Sequence, residues 1–385
     1  MRIAIVHEWF TVWAGSENVV EQIVACFPEA DLFALIDFMP DSDRARLRGK
    51  TVTTSFIQSL PFARKHYRGF LPLMPLAVAR LDVSGYDLVI SSSHAVAKGV
   101  RTGPGQIHVS YVHSPMRYAW DLRDLYLQEA GLDRGIQGIL AKWMLHRMRI
   151  WDARTAKGVD HFIANSKFVA ARICKAYGRE ATVIYPPVDV ESFARHDDKE
   201  SYYLTASRFV SYKKIDVVVE AFAGMPDRRL LVIGDGPESA KIHAKAGPNV
   251  TFLGHRAHGD LVHHLQRARA FVFAAEEDFG ILPVEAQACG TPVIAFGRGG
   301  VTESVQDKNA DGATGVFFAE QTPAAIRAAV LEFESKAGGF SPAACRRNAE
   351  RFSAARFRDE FRGFIRDAVA RRAATRTARS RCEAQ

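Results

Sequence analysis

The chain alternates between short, β-branched apolar runs and longer segments whose apolar residues recur at helical spacing. Six runs in the first half are bounded by turn residues, as expected for strands: RIAIVHE, DLFALID, DLVISSS, IHVSYVH, HFIANS and ATVIYP. Six more follow in the second half: YYLTAS, RLLVIGD, VTFLG, AFVFAA, PVIAF and GVFF. Segments between them, such as ENVVEQIVACF, have the spacing of an amphipathic helix. This order, repeated twice, predicts an α/β protein with two doubly wound parallel sheets.

A boundary between two domains is indicated by residues 185–203, where a Pro-Pro pair precedes a charged run and a new strand. The sequence thus predicts one Rossmann-like domain over 1–190 and a second over 191–355. Phenylalanines at three- and four-residue spacing then predict an amphipathic helix over 356–370. The remaining residues, 371–385, are predicted to form a basic tail, frayed over its last dozen residues.

Composition narrows the class of protein. A chain of 385 residues with 48% hydrophobic and 24% charged residues is typical of a globular protein with two domains. Its beginning has no charged-then-apolar leader, and no apolar segment approaches the roughly 20 residues that span a bilayer. The five cysteines are scattered without a C-x-x-C pair, which favours reduced cytosolic thiols over disulfides or zinc.

The net charge of +8 predicts an anionic partner. Nucleic acid, anionic lipid and phosphorylated small molecules all qualify. The sequence lacks the clustered aromatics and the basic helix expected of a nucleic-acid-binding protein. We therefore expect no nucleic acid as partner.

Two glutamates in the stretch EEDFGILPVEAQACGTPV suggest a sugar site. Glu277 follows the predicted strand AFVFAA, and Glu285 is expected in the first turn of the next helix, with Pro283 at its first position. The amino end of that helix suits a phosphate, and Gly280 lets backbone approach a ligand closely. Glu285 could accept hydrogen bonds from a ribose and Glu277 from a second sugar. Alternatively, Glu285 is an acidic residue that stabilises the start of the helix, and Glu277 is a solvated charge on a loop.

Cations follow the strand YYLTAS in the stretch SRFVSYKKID. Arg208 and Lys213 suit a diphosphate, because the Arg208 guanidinium is a planar donor of paired hydrogen bonds and the Lys213 ammonium is a compact charge. Alternatively, both side chains belong to a solvated turn. The GDGP turn at 234–237 lacks the third glycine of a dinucleotide-binding motif and is interpreted as a tight strand-to-helix turn.

Polar residues also follow strands of the first half. His94 and His113 end neighbouring predicted strands, although a single histidine is more often structural. Gly15 and Ser16 stand between the first strand and a helix, where they could contact a phosphate.

The ordered set of Arg208 and Lys213, GDGP, FLGHR, EDFGILPVEAQACGTPVIA and GRGGVTESV resembles the retaining glycosyltransferases of family four. The resemblance implies the GT-B fold, with two facing Rossmann-like domains, a deep interdomain cleft and a C-terminal helix that crosses back to the first domain. The first domain would bind the acceptor and the second the nucleotide sugar. HSPMRYAWD adds a likeness to bacterial GDP-mannose-dependent mannosyltransferases of lipopolysaccharide O-antigen or exopolysaccharide synthesis.

The resemblance also implies roles for single residues. His113 and Glu277 would contact the transferred hexose, Glu285 the ribose, and Arg208 with Lys213 the diphosphate. The remaining donor-side residues would be Gly15, Ser16, Gly254, His255, Phe279, Gly280, Ile281 and Leu282, and the acceptor side would be formed by His94, Arg117 and Tyr118. The family's Gly-Gly pair is replaced here by Ala14-Gly15.

The implied activity is a metal-independent, retaining transfer of a hexose, without a cofactor, from a nucleotide diphosphate sugar to a lipid-linked saccharide. Residues 55–80 mix cations with large apolar residues, as expected of a segment that contacts an anionic membrane. The protein would be cytoplasmic and peripheral at the inner face of the plasma membrane. The alternatives are a UDP-sugar-dependent transferase, a sugar-nucleotide epimerase on the same fold and a retaining glycosidase; the last would leave Arg208 and Lys213 unexplained.

Overall fold

A computed structural model describes residues 1–121, 123–129, 131–307, 309 and 311–383. The chain divides into two units. The first comprises Met1–Tyr185 with Phe357–Gln385, and the second comprises Pro186–Arg356.

The first unit is built on a parallel sheet whose strands follow the order β3-β2-β1-β4-β5-β6-β7. The strands are β1 (Ile3–Phe10), β2 (Asp31–Asp37), β3 (Val52–Thr54), β4 (Leu88–Ser93), β5 (Ile107–Val112), β6 (His161–Ala164) and β7 (Thr182–Val183). The six predicted strands are all present, and the short β3 is added at the edge. The central strands are buried along most of their length because helices cover both faces of a parallel sheet.

The described residues between these strands form the helices α1 (Gly15–Cys26), α2 (Asp41–Arg44), α3 (Ala63–His66), α4 (Met74–Val78), α5 (Arg123–Glu129), α6 (Gly135–Thr155) and α7 (Lys167–Tyr177). The predicted basic-apolar segment 55–80 contains α3, α4 and two 3-10 turns. It leaves Phe62, Leu73 and Leu76 exposed.

The second unit is a parallel sheet with the order β10-β9-β8-β11-β12-β13. Its strands are β8 (Tyr203–Ala206), β9 (Leu230–Ile233), β10 (Val250–Gly254), β11 (Ala270–Phe273), β12 (Val293–Phe296) and β13 (Gly315–Phe318). Its helices are α8 (Ile215–Ala223), α9 (Ser239–His243), α10 (His258–Arg267), α11 (Ile281–Ala288), α12 (Val301–Ser304), α13 (Pro323–Ser335) and α14 (Pro342–Glu350). The six strands predicted for this half are confirmed.

The last helix, α15 (Ala354–Glu383), is longer than the sequence predicts. Phe357, Phe361 and Ile365 are buried in the core of the first unit, where Phe357 packs against Tyr111. Helical backbone then continues through 371–383, where a basic tail, frayed over its last dozen residues, was predicted. After Gly363 the helix contains neither glycine nor proline, and its alanines and arginines are strong helix formers.

In each sheet, successive strands are added toward one edge up to a certain point, and the later strands are then added toward the other edge. The reversal falls between β1 and β4 in the first unit and between β8 and β11 in the second. In open α/β sheets, ligands bind beyond the carboxyl ends of the strands at such a switch point. Each unit therefore has one preferred ligand position.

No helix in the described part of the chain combines the length and the apolar character required to cross a bilayer.

Candidate functional site

The switch point of the second unit joins a lysine and a glutamate. Lys213 ends a 3-10 turn after β8, and Glu277 lies on the loop after β11. The ammonium of Lys213 donates a hydrogen bond to Oε1 of Glu277, and each side chain keeps 19% of its surface exposed. Because β8 and β11 are parallel neighbours, their carboxyl ends bring together side chains that are 64 residues apart.

Arg208 lies two residues beyond β8 and is exposed. The loop that carries it is fixed by Phe209, whose backbone N–H donates to the carbonyl of Asp235 at 2.9 Å. A Cβ on Gly234 would come within 1.8 Å of the Ser207 carbonyl oxygen, and one on Gly236 within 2.5 Å of the Phe209 carbonyl oxygen. The GDGP segment is thus a tight turn, as predicted, and it packs against the loop that carries Arg208.

Two glycines that we did not assign to the site support Glu277. The backbone N–H of Gly300 donates to the Glu277 carbonyl at 2.8 Å. A Cβ on Gly299 would lie 2.5 Å from that carbonyl oxygen, and one on Gly300 would lie 2.3 Å from the Asp278 carbonyl oxygen. The loop after β12 can therefore rest on the Glu277 loop only with glycine at both positions. The sequence signal was the GRGG run directly after the strand PVIAF.

Helix α11 starts earlier than predicted. Gly280 adopts a left-handed conformation (φ 85°) and Ile281 is the first helical residue. Pro283 is therefore the third residue of the helix and not its first. Glu285 is the fifth and lies beyond the first turn. The left-handed glycine turns the chain into the helix directly, so that proline is not needed to start it.

The other predicted donor-side residues of this stretch differ in exposure. Phe279 is buried and its ring packs against Phe352 with centroids 5.3 Å apart. Ile281 and Leu282 are half-buried. The side chain of Phe279 thus belongs to the core, and only its backbone remains available for the predicted contact.

Glu285 has no hydrogen bond or ion pair to its carboxylate within the described ranges. Burial alone raises the pKa of Glu285 to about 7. A half-buried carboxyl without a cation is suited to accept hydrogen bonds from uncharged hydroxyls.

Gly254 and His255 lie at the end of the edge strand β10. The Gly254 carbonyl accepts from the Gly234 N–H at 2.9 Å, and His255 is exposed. Two strand spacings, about 10 Å in all, separate this point from the end of β8. Among the described residues, neither Gly254 nor His255 forms a hydrogen bond or an ion pair with Lys213 or Glu277.

In the first unit, Glu8 occupies the switch point between β1 and β4. Its buried carboxylate accepts hydrogen bonds from the Ser93 hydroxyl at 3.2 Å and from the N–H groups of residues 94–97 at 2.7–3.1 Å. Burial by itself raises the pKa of Glu8. The attraction of His94 and the hydrogen bonds from these N–H groups outweigh the effect of burial, so that the pKa of Glu8 is lowered. Glu8 thereby fixes the loop that carries His94.

A chain of buried polar contacts leads to His113. Glu17 Oε1 lies 3.3 Å from His7 Nε2, and His7 Nδ1 lies 3.2 Å from the Ser92 hydroxyl. The Ser92 hydroxyl lies 2.8 Å from His113 Nε2. The Asn165 amide donates to the His113 carbonyl at 3.0 Å. His113 is thus held from both its ring and its backbone.

Sequence reasoning missed Glu17, His7 and Ser92 as parts of this network. A glutamate two residues after Gly15, together with a histidine ending the first strand, was the available signal. Burial and attraction compete at Glu17: burial raises its pKa, whereas the hydrogen bond and charge of His7 lower it, and the net pKa is lowered.

Among the first-unit residues predicted for the site, the two histidines lie close together. His94 and His113 have ring centroids 6.1 Å apart, and burial lowers the pKa of His113 well below its usual range, with the charges of His94 and Arg117 adding to the effect. Burial also lowers the pKa of His94. Tyr118 instead packs its ring against Tyr126, and burial raises its pKa well above the usual value.

Gly15 is the first residue of α1 and Ser16 the second. The Ser16 hydroxyl donates to Glu17 Oε2 at 2.9 Å, and the same oxygen accepts from the Ala14 N–H at 3.1 Å. The Glu17 carboxylate thus connects the start of α1 to His7.

Within the residues that the structure describes, no three His, Cys, Asp or Glu side chains form a group that could hold a metal ion.

Solved structures share this fold. Sucrose-phosphate synthase from Thermosynechococcus elongatus aligns with a TM-score of 0.71 and 17% identity, over 96% of this chain and 100% of that chain. HepE of Anabaena in complex with UDP aligns with a TM-score of 0.68 and 16% identity, over 95% of this chain and 100% of that chain. The two parallel α/β units thus confirm the predicted Rossmann-like domains and match GT-B glycosyltransferase structures.

A curated relative is the D-inositol 3-phosphate glycosyltransferase of Mycobacterium sp. (strain JLS), which is 30% identical over 175 residues. The match covers 38% of this chain and 39% of the relative, so the chain spans about two fifths of that protein's length.

Family models match both parts of the chain. Residues 13–192 match Glycosyltransferase Family 4, and residues 190–352 match Glycosyl transferases group 1. The Family 4 match includes Glu17, Ser92 and His113 of the first-unit network but not His7, and the group 1 match includes the Lys213–Glu277 pair. The chain belongs to the GT-B glycosyltransferases of group 1, with a family 4 domain preceding the group 1 domain.

Proposed function

We propose that the protein is a retaining hexosyltransferase that moves mannose from GDP-mannose to a lipid-linked saccharide in the synthesis of a cell-surface polysaccharide. The observation that carries the proposal is the contact between Lys213 and Glu277 at the switch point of the second unit, with the exposed Arg208 on the same loop as Lys213. A cation pair and a carboxylate at one strand edge match the two halves of a nucleotide sugar, the diphosphate and the hexose hydroxyls.

In this proposal each side chain of the second unit has one task. Arg208 and Lys213 bind the diphosphate and stabilise the charge that develops on it as it leaves. Glu277 accepts hydrogen bonds from the hexose, and Glu285 accepts them from the ribose. We include no metal ion and no cofactor, since these two cations supply the positive charge.

The reaction exchanges one bond at C1 of the hexose for another. The bond from C1 to the phosphate oxygen breaks while the acceptor hydroxyl oxygen bonds to C1 on the same face. The hydroxyl proton passes to the departing phosphate oxygen. The configuration at C1 is thereby retained.

In this proposal the first unit supplies His113, which contacts the transferred hexose, and the acceptor-side residues His94, Arg117 and Tyr118. Burial keeps His113 neutral at physiological pH, so that Nδ1, the ring nitrogen not engaged by Ser92, can form a hydrogen bond with a sugar hydroxyl without adding a charge. The network from Glu17 through His7 and Ser92 sets the orientation of that ring.

The lipid-linked acceptor and a peripheral location at the inner face of the plasma membrane are supported by charge and exposure. The net charge is +8, and residues 55–80 expose Phe62, Leu73 and Leu76 beside the cations Arg64 and Lys65. A basic surface with exposed apolar groups is attracted to anionic lipid.

A UDP-sugar as donor is the second candidate, because the structural neighbour HepE was crystallised with UDP. The residues that would contact the base, Gly254 and His255, present backbone and one exposed ring, which suits either base.

A thermal-shift panel tests the proposal with GDP-mannose, UDP-glucose, UDP-N-acetylglucosamine, GDP and UDP. We expect GDP-mannose and GDP to raise the Tm by about 2–4 °C at concentrations far above Kd, and the uridine compounds to raise it less. A larger shift with the uridine compounds would transfer the proposal to a UDP-sugar. No shift with any nucleotide would refute it.

An acceptor-free incubation separates the transferase from an epimerase. The proposed enzyme leaves GDP-mannose unchanged apart from slow hydrolysis, as measured by mass spectrometry and NMR. Rapid conversion into an epimer without acceptor would identify the rival activity.

A further inference from the structure

Helix α6 has two apolar sides. One is buried in the first unit and contains Gly138, Ala141, Leu145, Met148 and Asp152. The other is exposed, with Ile136 at 85%, Ile139 at 71%, Leu140 at 62%, Trp143 at 59% and Ile150 at 52% exposed. At about 100° per residue, the two sets point in opposite directions from the helix axis.

A helix on the surface of a globular protein ordinarily has one apolar stripe, and the opposite side is polar. Here the exposed side of α6 supplies five of the eleven exposed large hydrophobic residues among those described. Scattered exposed apolar residues are common, but a contiguous row of them marks an interaction surface. We call this row, residues 136, 139, 140, 143 and 150, the outer stripe.

The charges on α6 are all of one sign where the helix is exposed. Lys142, Arg147, Arg149 and Arg154 are exposed. The single acid, Asp152, is buried and forms an ion pair of 2.6 Å with Lys98. The exposed surface of the helix is therefore cationic as well as apolar.

Buried contacts hold α6 in place and present the outer stripe outward. Oδ2 of Asp152 accepts hydrogen bonds from the Trp120 indole at 2.8 Å and from the Tyr177 hydroxyl at 2.9 Å. Leu71, from the basic-apolar segment 55–80, packs against the cluster that contains Ala141 and Leu145. The two elements of the first unit that expose apolar groups beside cations are thus packed together.

We propose that the outer stripe of α6 binds the surface of an anionic lipid bilayer, with the helix lying in the interfacial plane. A row of large apolar residues enters the boundary of the acyl chains while neighbouring lysines and arginines contact lipid phosphates. In the context of the proposed function, on which this purpose rests, the contact holds the first unit at the membrane that carries the lipid-linked acceptor.

Charge favours a bilayer over a second copy of the chain. A two-fold contact through the outer stripe would bring the same cations of two copies together, with no exposed acid on α6 to offset them. Like charges in one interface oppose association. An anionic bilayer is complementary to both features of the helix.

Vesicle sedimentation tests the proposal on the full chain. Wild type should bind vesicles of phosphatidylcholine mixed with phosphatidylglycerol and bind phosphatidylcholine vesicles much more weakly. Replacing Ile136, Ile139, Leu140 and Trp143 by Gln should reduce binding by about tenfold or more. Lys142→Glu with Arg147→Glu should reduce it by a similar factor and weaken its dependence on salt.

The control uses Leu331 on α13 of the second unit and Lys336, the residue that follows this helix. Leu331→Gln with Lys336→Glu removes one exposed apolar residue and one exposed cation of the same kind, and should leave vesicle binding within about twofold. Circular dichroism and the thermal shift with GDP report folding and donor binding of each variant separately.

Trp143 provides an internal probe. It is the tryptophan with a largely exposed side chain among the described residues, so anionic vesicles should shift its emission to shorter wavelength. Trp143→Phe should abolish that shift while binding remains within about threefold.

The proposal would be overturned if wild type did not bind vesicles, or if the folded four-site variant bound them as well as wild type does. It would also be overturned if wild type were a dimer in sedimentation velocity and the four-site variant were a monomer. A protein that binds vesicles through the stripe but no nucleotide would instead contradict the proposed function alone.

Discussion

Glu277 and Glu285 lie eight positions apart, yet their carboxylates have different surroundings. Glu277 is bonded to Lys213, whereas burial without a cation raises the pKa of Glu285 to about 7. The first carboxylate is held in a charged pair, and the second becomes fully ionised only in mildly alkaline solution. Their roles in binding a nucleotide sugar should differ accordingly.

Glu277→Ala should remove most turnover, by roughly 100-fold to 1000-fold, because in the proposed function this carboxylate contacts the transferred hexose, where charge develops. Binding of GDP should remain within about threefold, since the proposal assigns the diphosphate to Arg208 and Lys213. Steady-state kinetics and calorimetry measure the two quantities.

The control for this substitution is Glu276→Ala, which removes an exposed carboxylate one residue earlier and should leave turnover near the wild-type value. Equal losses of turnover and GDP binding in Glu277→Ala would assign Glu277 a structural role.

Glu285→Gln should stabilise the nucleotide-free protein in a pH-dependent way. The folded-state pKa of about 7 exceeds the ordinary 4.5, so folding favours the protonated form of Glu285. The protonated carboxyl therefore makes its full contribution to the free energy of unfolding below pH 4.5, and this contribution is lost as the pH rises through 7. At about pH 8 the variant should exceed wild type by about 2–3 kcal/mol in free energy of unfolding, and near pH 4 the difference should vanish. Urea unfolding at several pH values measures it. A difference independent of pH would show that Glu285 titrates normally.

At the residue scale, sequence reasoning predicted Glu277, Lys213 and His113 because each follows a strand. It did not predict Glu17, His7 and Ser92 as a network, since their contacts join positions up to 85 residues apart. Only the register of β1 with β4 aligns His7 with Ser92, and spacing along one segment does not contain that information.

At the scale of elements, α6 illustrates how one buried acid fixes a helix. Asp152 meets Lys98, Trp120 and Tyr177 inside the first unit. These partners orient the helix so that its second apolar side remains exposed. A pattern of apolar residues all around a helix ordinarily predicts complete burial, and for this reason the sequence alone could not distinguish the two sides.

Asp152→Ala should lower the free energy of unfolding by about 3 kcal/mol or more, because it leaves the buried ammonium of Lys98 without a counter-charge. Chemical denaturation followed by circular dichroism measures the loss. Asp124→Ala removes an exposed acid paired with Arg123 at 2.9 Å and should cost less than about 1 kcal/mol. Equal effects of the two substitutions would contradict the structural role of the buried pair.

Helix boundaries were the weaker part of the prediction at this scale. The strands were recognised because β-branched runs ended at turn residues. The start of α11 was displaced because Gly280 adopts a left-handed backbone conformation, and α15 was predicted too short because helix propensity was given too little weight after residue 370.

At the scale of the whole molecule, the two units repeat one principle. Each places its polar side chains where the order of strands reverses, with Glu8 and His7 in the first unit and Lys213 and Glu277 in the second. The number of sheets, and every strand except the short β3, followed from the alternating pattern. The strand order, which decides which loops meet, came from the structure.

The most direct test of the account is calorimetric binding of GDP to wild type, Arg208→Ala and Arg229→Ala. Both arginines are exposed in the second unit, but Arg229 precedes β9 and lies at the opposite end of the sheet from the site. The account predicts a loss of about tenfold or more in affinity for Arg208→Ala and wild-type affinity for Arg229→Ala. Wild-type affinity in Arg208→Ala, or equal losses in both variants, would contradict a diphosphate site at the switch point of the second unit.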